Sequence, residues 1–138
     1  MSKIQILIIN DSRSMRLFLE NIIKSFLDCE MMTSCMDGNN AMNRLEVKKP
    51  DVILLDLEMP HMDGLTFLEL LADNKKIPSI IISNYGENES DIIRDAMNLG
   101  AVDSLMPPSS MKDEEIGKFR SALHYKIMKA SPSQITIL

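Results

Sequence analysis

Four polar residues of this sequence stand directly after short apolar runs, at positions where side chains often carry chemistry. Asn10 and Asp11 follow the first run, Asp56 follows a second, and Ser83 follows a third. If the runs are parallel strands of one sheet, the residues after them meet at one edge of that sheet. Two carboxylates, an amide and a hydroxyl would then share a pocket.

Such a pocket suits phosphoryl chemistry with a metal. Carboxylates held close together repel unless a cation joins them, and Mg²⁺ fits because it prefers oxygen ligands. An aspartate beside the metal can attack a phosphoryl group and form an acyl phosphate, to which Ser83 can donate a hydrogen bond. Taken singly, Asp11 is better read as a helix cap, Asp56 as a loop start and Ser83 as a strand end. Their joint placement favours the site.

The apolar runs alternate with helical patterns along the chain. Ile4–Ile9, Val52–Leu55 and residues 80–82 are nearly continuous apolar runs, which are typical of strands buried on both faces. Weaker strands are predicted at 31–35 and 102–106, and the second of these is partly polar, as an edge strand would be. Five βα units in a row predict a doubly wound parallel sheet in the α/β class.

Turn and cap residues predict where the helices begin and end. Ser12 or Ser14 is predicted to cap the first helix, and Gly100 to end the fourth. Ser131-Pro132-Ser133 follows the last helical pattern. Residues 1–130 are therefore expected to form one domain, and residues 131–138 a linker or disordered tail.

Composition excludes several classes of protein. The chain has 138 residues, is 45% hydrophobic and carries a net charge of −5, which argues against a general nucleic-acid binder. No signal pattern or apolar run of membrane-spanning length is present, so a cytoplasmic location without a membrane partner is expected. Cys29 and Cys35 have no zinc-ligand spacing and are interpreted as small apolar residues in a reducing compartment. The twelve methionines favour a methionine-filled core over a docking surface.

The segment 54–64, LLDLEMPHMDG, is similar to the phosphorylation segment of response-regulator receiver domains: an aspartate ends a buried strand, then come Met-Pro and a helix-opening Asp-Gly. The resemblance extends over about residues 4–129. In finer detail the chain is most similar to the N-terminal regulatory domain of chemotaxis protein-glutamate methylesterases. It implies a flavodoxin-like sheet of order 2-1-3-4-5 with five helices. It also implies a domain that is not itself an enzyme, with any methylesterase catalytic domain outside this chain.

The resemblance also implies a role for each site residue. Asp56 matches the phosphoacceptor and Ser83 the switch hydroxyl. Asp11, Asp56 and the backbone carbonyl of Glu58 match the protein ligands to Mg²⁺. Glu58 and Tyr85 match two loop positions that influence the lifetime of the acyl phosphate. The implied partners are a histidine kinase and an effector that contacts the face formed by helix four, strand five and helix five.

Three departures from the family pattern alter these expectations. Asn10 replaces an acid and removes a negative charge, so it is expected to be a weak metal ligand and Mg²⁺ affinity to be low. Pro107 stands where the family has a lysine, and Ser104 where it has an aromatic switch residue. Because the lysine–proline bond is typically cis in the family, a cis Pro107–Pro108 bond is expected.

Two functions remain open. The chain is either a phosphorylated receiver that regulates a partner or attached effector, or a phosphorylation-independent pseudo-receiver that serves as a protein-interaction module. In the first case Arg13 or Lys112 is a candidate to replace the lost cation, although solvated surface charges are commoner. A phosphatase of the haloacid-dehalogenase type is disfavoured because the acid ends the third strand here, not the first. No glycine-rich phosphate loop is present.

Overall fold

The computed structural model describes residues 2–59, 62–74, 76–84 and 90–131. Within those residues five strands alternate with five helices, which confirms the predicted βα repeat. The strands are β1 (Ile4–Ile9), β2 (Cys29–Cys35), β3 (Val52–Leu55), β4 (Ser79–Ile82) and β5 (Ala101–Leu105). The helices are α1 (Arg13–Lys24), α2 (Gly38–Val47), α3 (Gly64–Asn74), α4 (Ser90–Asn98) and α5 (Asp113–Ala130).

The strands form one parallel sheet in the order β2-β1-β3-β4-β5. Ile9 lies opposite Leu55, and Leu55 lies opposite Ile81, so the three central strands finish at nearly the same level. The residues that follow these strands therefore meet at one edge of the sheet. The predicted fold class and strand order are confirmed.

Alternate residues of the central strands face opposite layers of helices. In β1, Ile6 and Ile8 pack in the core cluster that includes residues of α1 and α5. Leu7 and Ile9 pack in the other cluster, with residues of α2, α3 and α4. Because helices cover both faces, the central strands are almost entirely apolar, with Gln5 in β1 and Ser79 in β4 as exceptions, which explains the nearly continuous runs in the sequence.

Isoleucine and leucine fill most of the core, and methionines lie mainly at its margin rather than throughout it as expected. Among the described residues Met59 is the one buried methionine, with 9% of its surface exposed. Met36, Met97, Met106 and Met111 are exposed. Strands favour β-branched and other side chains that pack well on a pleated surface. Six further methionines are half-buried and pack against the two core clusters: Met15, Met31, Met32, Met42, Met62 and Met128.

The element boundaries follow local hydrogen bonding. The Ser12 hydroxyl accepts from the Met15 N–H at 3.2 Å, so Ser12 is the cap of α1, one of the two predicted candidates. Gly100, with φ of 116°, follows α4 as predicted, because this left-handed conformation suits glycine. β2 begins at Cys29, earlier than predicted, because Cys29 and Glu30 already pair with β1.

The predicted edge position of β5 is confirmed, but the predicted cis bond after it is wrong. The Pro107–Pro108 bond is trans. The trans form of an X–Pro bond is intrinsically favoured by about 0.5–1 kcal/mol. With the trans bond, Pro107 already lines the cavity at the strand ends. A cis bond is therefore not needed to place it there.

Both cysteines are buried and free of disulfides. Burial raises the pKa of Cys29 to about 12 and the pKa of Cys35 to about 11. Both thiols stay protonated at neutral pH, in line with the role of small apolar residues. None of the helices in the described ranges is long and apolar enough to cross a membrane.

Candidate functional site

A cavity of about 160 Å³ opens beyond the carboxyl ends of the strands. Asn10, Asp11, Asp56, Glu58 and Ser83 all line it. These five are the residues that the sequence predicted for the site, and they come from the ends of β1, β3 and β4. The fold therefore brings together groups that are far apart in the chain.

Asp56 sits immediately after β3, and neighbouring donors fix its orientation. Its N–H donates to the Ile9 carbonyl at 2.9 Å, which carries the pairing of β1 and β3 one residue further. Its Oδ1 accepts from the Ser83 hydroxyl at 3.2 Å and from the Glu58 N–H at 3.1 Å. The carboxylate is thus held against the β4 end and the loop that follows β3.

The charge of Asp56 is costly in this setting. Burial raises the pKa of Asp56 to about 6, and the adjacent Asp11 carboxyl also acts to raise it. The bonds from the Glu58 N–H and the Ser83 hydroxyl pull the pKa of Asp56 the other way. None of the described residues that line the cavity is a lysine, arginine or histidine. A cation bound in this cavity would reduce the repulsion between the Asp11 and Asp56 carboxylates.

Ser83 links β4 to the loop after β3. Besides donating to Asp56, its buried hydroxyl accepts from the Leu57 N–H at 3.4 Å. A group that pulled the hydroxyl away from Asp56 would therefore also disturb this loop. Tyr85, expected to influence the acyl-phosphate lifetime, lies outside the described residues.

Asn10 is almost fully enclosed, with 4% of its surface exposed. Its side-chain Oδ1 accepts from the Ser12 N–H at 2.9 Å. Its backbone N–H donates to the Cys35 carbonyl at 3.0 Å. The oxygen that was expected to act as a weak metal ligand is therefore already engaged by the backbone at the start of α1.

Sequence reasoning missed Arg16. Its guanidinium Nη1 donates to the backbone carbonyl of Asn10 at 2.7 Å. Arg16 lies one turn after the Ser12 cap, and that spacing could have placed it next to the end of β1. Arg16 thus secures the chain at the point where β1 enters the site.

The structure offers no replacement for the lost lysine in the part of the chain it describes. Pro107 lines the cavity, where it contributes neither a charge nor an N–H. Neither Arg13 nor Lys112, the two candidates, lines the cavity. Ser104 is half-buried in β5. The described wall of the cavity is therefore polar and acidic, with neutral donors.

The acidic groups are too few to form a metal cage by themselves. No set of three His, Cys, Asp or Glu side chains in the described ranges is placed to hold a metal ion. A cation here would depend on the carboxylates of Asp11 and Asp56 together with other oxygens, such as the Glu58 carbonyl. This donor set still fits a hard cation that keeps most of its water.

The Asp63-Gly64 pair joins α3 to the site. Asp63 Oδ1 accepts from the Thr66 N–H at 2.8 Å and caps the helix. The Gly64 N–H donates to the Leu57 carbonyl at 3.0 Å. A Cβ on Gly64 would lie 2.7 Å from the Leu57 Cα and 2.8 Å from the Asp56 carbonyl oxygen, both backbone atoms. The glycine is therefore needed for the close approach of α3 to the segment that carries Asp56.

Known proteins are similar to this chain in sequence. The chain is 34% identical to a protein-glutamate methylesterase/protein-glutamine glutaminase 2 from Syntrophus aciditrophicus, an alignment that covers 98% of the chain and 41% of the relative. The chain thus spans about two fifths of that relative's length.

Solved structures show the same likeness. The response regulator domain of Thermotoga maritima CheB superposes with a TM-score of 0.83 at 31% identity, covering 93% of this chain and 96% of that one. A chain from the complex of the P1 domain of CheA3 with CheY6 from R. sphaeroides gives 0.76 at 27% identity, covering 94% and 99%. The family model of the response regulator receiver domain matches residues 6–116. The chain therefore belongs to the response regulator receiver domain family.

Proposed function

We propose that this receiver accepts a phosphoryl group on Asp56 and passes the signal to a partner or to an attached effector domain. The setting of Asp56 is the observation that supports this best. Its carboxylate lines a cavity beside Asp11, and the Ser83 hydroxyl orients it at 3.2 Å. With its pKa raised to about 6, Asp56 is ionised at neutral pH yet more basic, and so more nucleophilic, than an ordinary aspartate.

The proposed reaction is an in-line displacement at phosphorus. The phosphoryl group comes from a phosphohistidine of the donor protein. A carboxylate oxygen of Asp56 forms a bond to phosphorus while the bond from phosphorus to the histidine nitrogen breaks. The electron pair of the broken bond stays on that nitrogen, and no other group is oxidised or reduced. Ser83 is placed to turn its hydroxyl from Asp56 to a phosphoryl oxygen, because it already donates to the carboxylate.

Mg²⁺ suits this cavity because every polar side chain that lines it offers an oxygen. The residues that would hold the ion are Asp11, Asp56 and the Glu58 backbone carbonyl. Bound Mg²⁺ offsets the repulsion between the Asp56 carboxylate and incoming phosphoryl oxygens. With Asn10 in place of an acid, we expect the affinity to be low.

A histidine kinase is the proposed phosphoryl donor. The similarity to the structure of the P1 domain of CheA3 in complex with CheY6 supports a partner of that kind. The likeness to protein-glutamate methylesterases supports an effector of the chemotaxis methylesterase type.

The proposed output surface is the face formed by α4, β5 and α5. β5 is an edge strand, so its outer side has no neighbouring strand in the sheet. Large apolar side chains are exposed along these elements and the loop that joins β5 to α5: Met97, Val102, Met106, Met111 and Tyr125. Because Ser104 replaces the aromatic residue, the signal from Ser83 would reach this face through the backbone and packing, without a ring that changes rotamer.

The alternative is a pseudo-receiver that binds partners without phosphate. The observation that favours it is the cavity wall: Asn10 supplies no charge, and Pro107 supplies no cation to hold a phosphoryl group. The exposed methionines of the α4–β5–α5 face would serve such a module equally well. Phosphoryl transfer separates the two readings.

The test is transfer from a kinase. An autophosphorylated histidine kinase domain carrying a labelled phosphoryl group is mixed with the chain and Mg²⁺, with Asp56→Asn as the matched control. We expect label on the wild-type chain and none on the variant. Equal labelling of both chains, or of neither by any chemotaxis-type kinase tried, would favour the pseudo-receiver.

A further inference from the structure

The side chain of Asn10 has a free donor in an otherwise closed environment. Its Oδ1 is taken by the Ser12 N–H, and its backbone groups bond to Cys35 and Arg16. Its Nδ2 donates to no residue in the described part of the chain. No side-chain polar atom there is both fully buried and unpaired, so Nδ2 keeps an open side.

The cavity that Asn10 lines is the one that contains the phosphoacceptor. Asn10 is 96% enclosed, since 4% of its surface is exposed, and it lines the cavity that also contains Asp56. The Ser12 bond orients the amide, because the oxygen turns toward the start of α1 and the nitrogen turns away from it. An enclosed amide whose N–H₂ group has no protein partner is free to donate to a ligand in the cavity that the residue lines.

We infer that Asn10 donates a hydrogen bond from Nδ2 to an oxygen of the phosphoryl group on Asp56, and that it is not a ligand of the metal. The inference rests on the proposed function and deepens it. Together with the Ser83 hydroxyl, Asn10 gives the anion two neutral side-chain donors in a cavity whose described lining residues carry no positive charge. It stabilises the acyl phosphate where no lysine is present.

Two affinities separate a donor from a ligand, and both are read from amide shifts. The first is the Kd for Mg²⁺ alone. The second is the Kd for beryllofluoride, a phosphoryl mimic, at saturating Mg²⁺. For Asn10→Ala we expect the first to stay within about twofold and the second to rise about tenfold or more, as for loss of one hydrogen bond to a charged group.

Asn10→Asp supplies a second test that keeps the Ser12 bond. The new oxygen can accept from the Ser12 N–H as before, while the N–H₂ donor is lost. We expect tighter Mg²⁺ binding and weaker beryllofluoride binding, two changes in opposite directions. The same substitution at the exposed Asn21 of α1 controls for added charge and should change neither affinity.

Ligand behaviour would overturn the inference. In that case Asn10→Ala weakens Mg²⁺ binding and recovers beryllofluoride binding once Mg²⁺ saturates, and Asn10→Asp improves both affinities. If wild type binds both probes and Asn10→Ala binds them equally well, the inference alone fails. If the folded wild type binds no beryllofluoride at saturating Mg²⁺, the proposed phosphoacceptor function fails as well.

Discussion

At the residue scale, two departures from the family pattern change the charge of the cavity in opposite directions. An asparagine at position 10 removes one negative charge, and a proline at position 107 removes one positive charge. The formal charge of the cavity is therefore unchanged. Asp56 keeps a raised pKa because burial and Asp11 still act on it.

The first prediction concerns the cost of the Asp56 charge. The pKa of Asp56 is about 6 in the folded chain and near the ordinary value of 3.8 in the unfolded chain. The folded chain therefore binds the proton more tightly. Stability from this group is present below pH about 4 and is lost as pH rises to about 6. Asp56→Asn should therefore stabilise the protein by about 2 kcal/mol at pH 7.5 without Mg²⁺, measured by urea unfolding.

The gain from Asp56→Asn should shrink toward zero as pH falls from about 6 to about 4, because wild-type Asp56 is then protonated. Asp73→Asn, at an exposed position of α3, is the matched control and should change stability little at any pH. A destabilised Asp56→Asn protein, or a gain that does not depend on pH, would contradict the assigned environment.

The second prediction concerns the Ser83 hydroxyl. Ser83→Ala removes a donor to Asp56 and an acceptor for the Leu57 N–H, and it should cost about 1 kcal/mol. Because the Ser83 bond lowers the pKa of Asp56, that pKa should rise in the variant. A carboxyl-carbon NMR titration measures it. Ser83→Thr keeps the hydroxyl and should titrate like wild type; equal shifts in both variants would rule out the bond.

Sequence reasoning could find Asp11, Asp56 and Ser83 because each follows an apolar run that a parallel sheet must bury. It could not orient Asn10. The Ser12 N–H binds the amide oxygen and leaves the amide nitrogen free to donate. This N–H takes its position only when α1 has formed. The role of Arg16 likewise depends on a backbone carbonyl, which no pattern of side chains indicates.

At the element scale, the start of α3 is the most constrained junction near the site. The helix begins where Gly64 approaches the backbone of Asp56 and Leu57. Asp63 caps it, and the Gly64 N–H bonds back to the Leu57 carbonyl. The position of α3 and the conformation of the phosphoacceptor segment are therefore coupled.

The third prediction uses two glycines of different surroundings. Gly64→Ala forces a Cβ against backbone atoms at 2.7 and 2.8 Å and should destabilise the protein by about 2 kcal/mol or more. Gly117→Ala meets open space inside α5 and should stabilise it by about 0.5–1 kcal/mol through helix propensity. Thermal unfolding of both variants measures this. Similar changes of the same sign would contradict the close approach.

Strands were predictable from sequence where burial on both faces leaves a continuous apolar run, as in β1, β3 and β4. The start of β2 was not, because Glu30 is exposed and only its pairing with Gln5 makes it part of a strand. The isomer of the Pro107–Pro108 bond was also not predicted correctly from the sequence. The expectation was carried over from a lysine–proline pair, and the lysine is missing here.

At the scale of the whole molecule, the fold separates a core of isoleucine and leucine from a surface that exposes several methionines. Helices on both faces of the sheet demand isoleucine and leucine inside. The composition shows twelve methionines but not where they lie, and we expected them to fill the core. Six of them pack against the core clusters, whereas Met36, Met97, Met106 and Met111 are exposed and offer flexible apolar contacts to a partner.

The fourth prediction is that Mg²⁺ stabilises the folded chain. The ion should bind the folded cavity and not the separated carboxylates of the unfolded chain. At ten times its Kd the gain should be about 1.4 kcal/mol, measured by unfolding with and without Mg²⁺. Asp11→Asn should lose most of it, and Asp95→Asn, exposed on α4, should retain it. The same gain in all three chains would place the ion elsewhere.

The most direct test of the account is covalent phosphorylation of Asp56 itself. The folded chain is incubated with a small phosphodonor and Mg²⁺, and the intact mass is compared with that of Asp56→Asn and of a sample with chelator. We expect one added phosphoryl group on the wild-type chain with Mg²⁺ and none in either control. An unmodified, folded wild-type chain at millimolar donor would contradict it and leave the phosphate-independent interaction module.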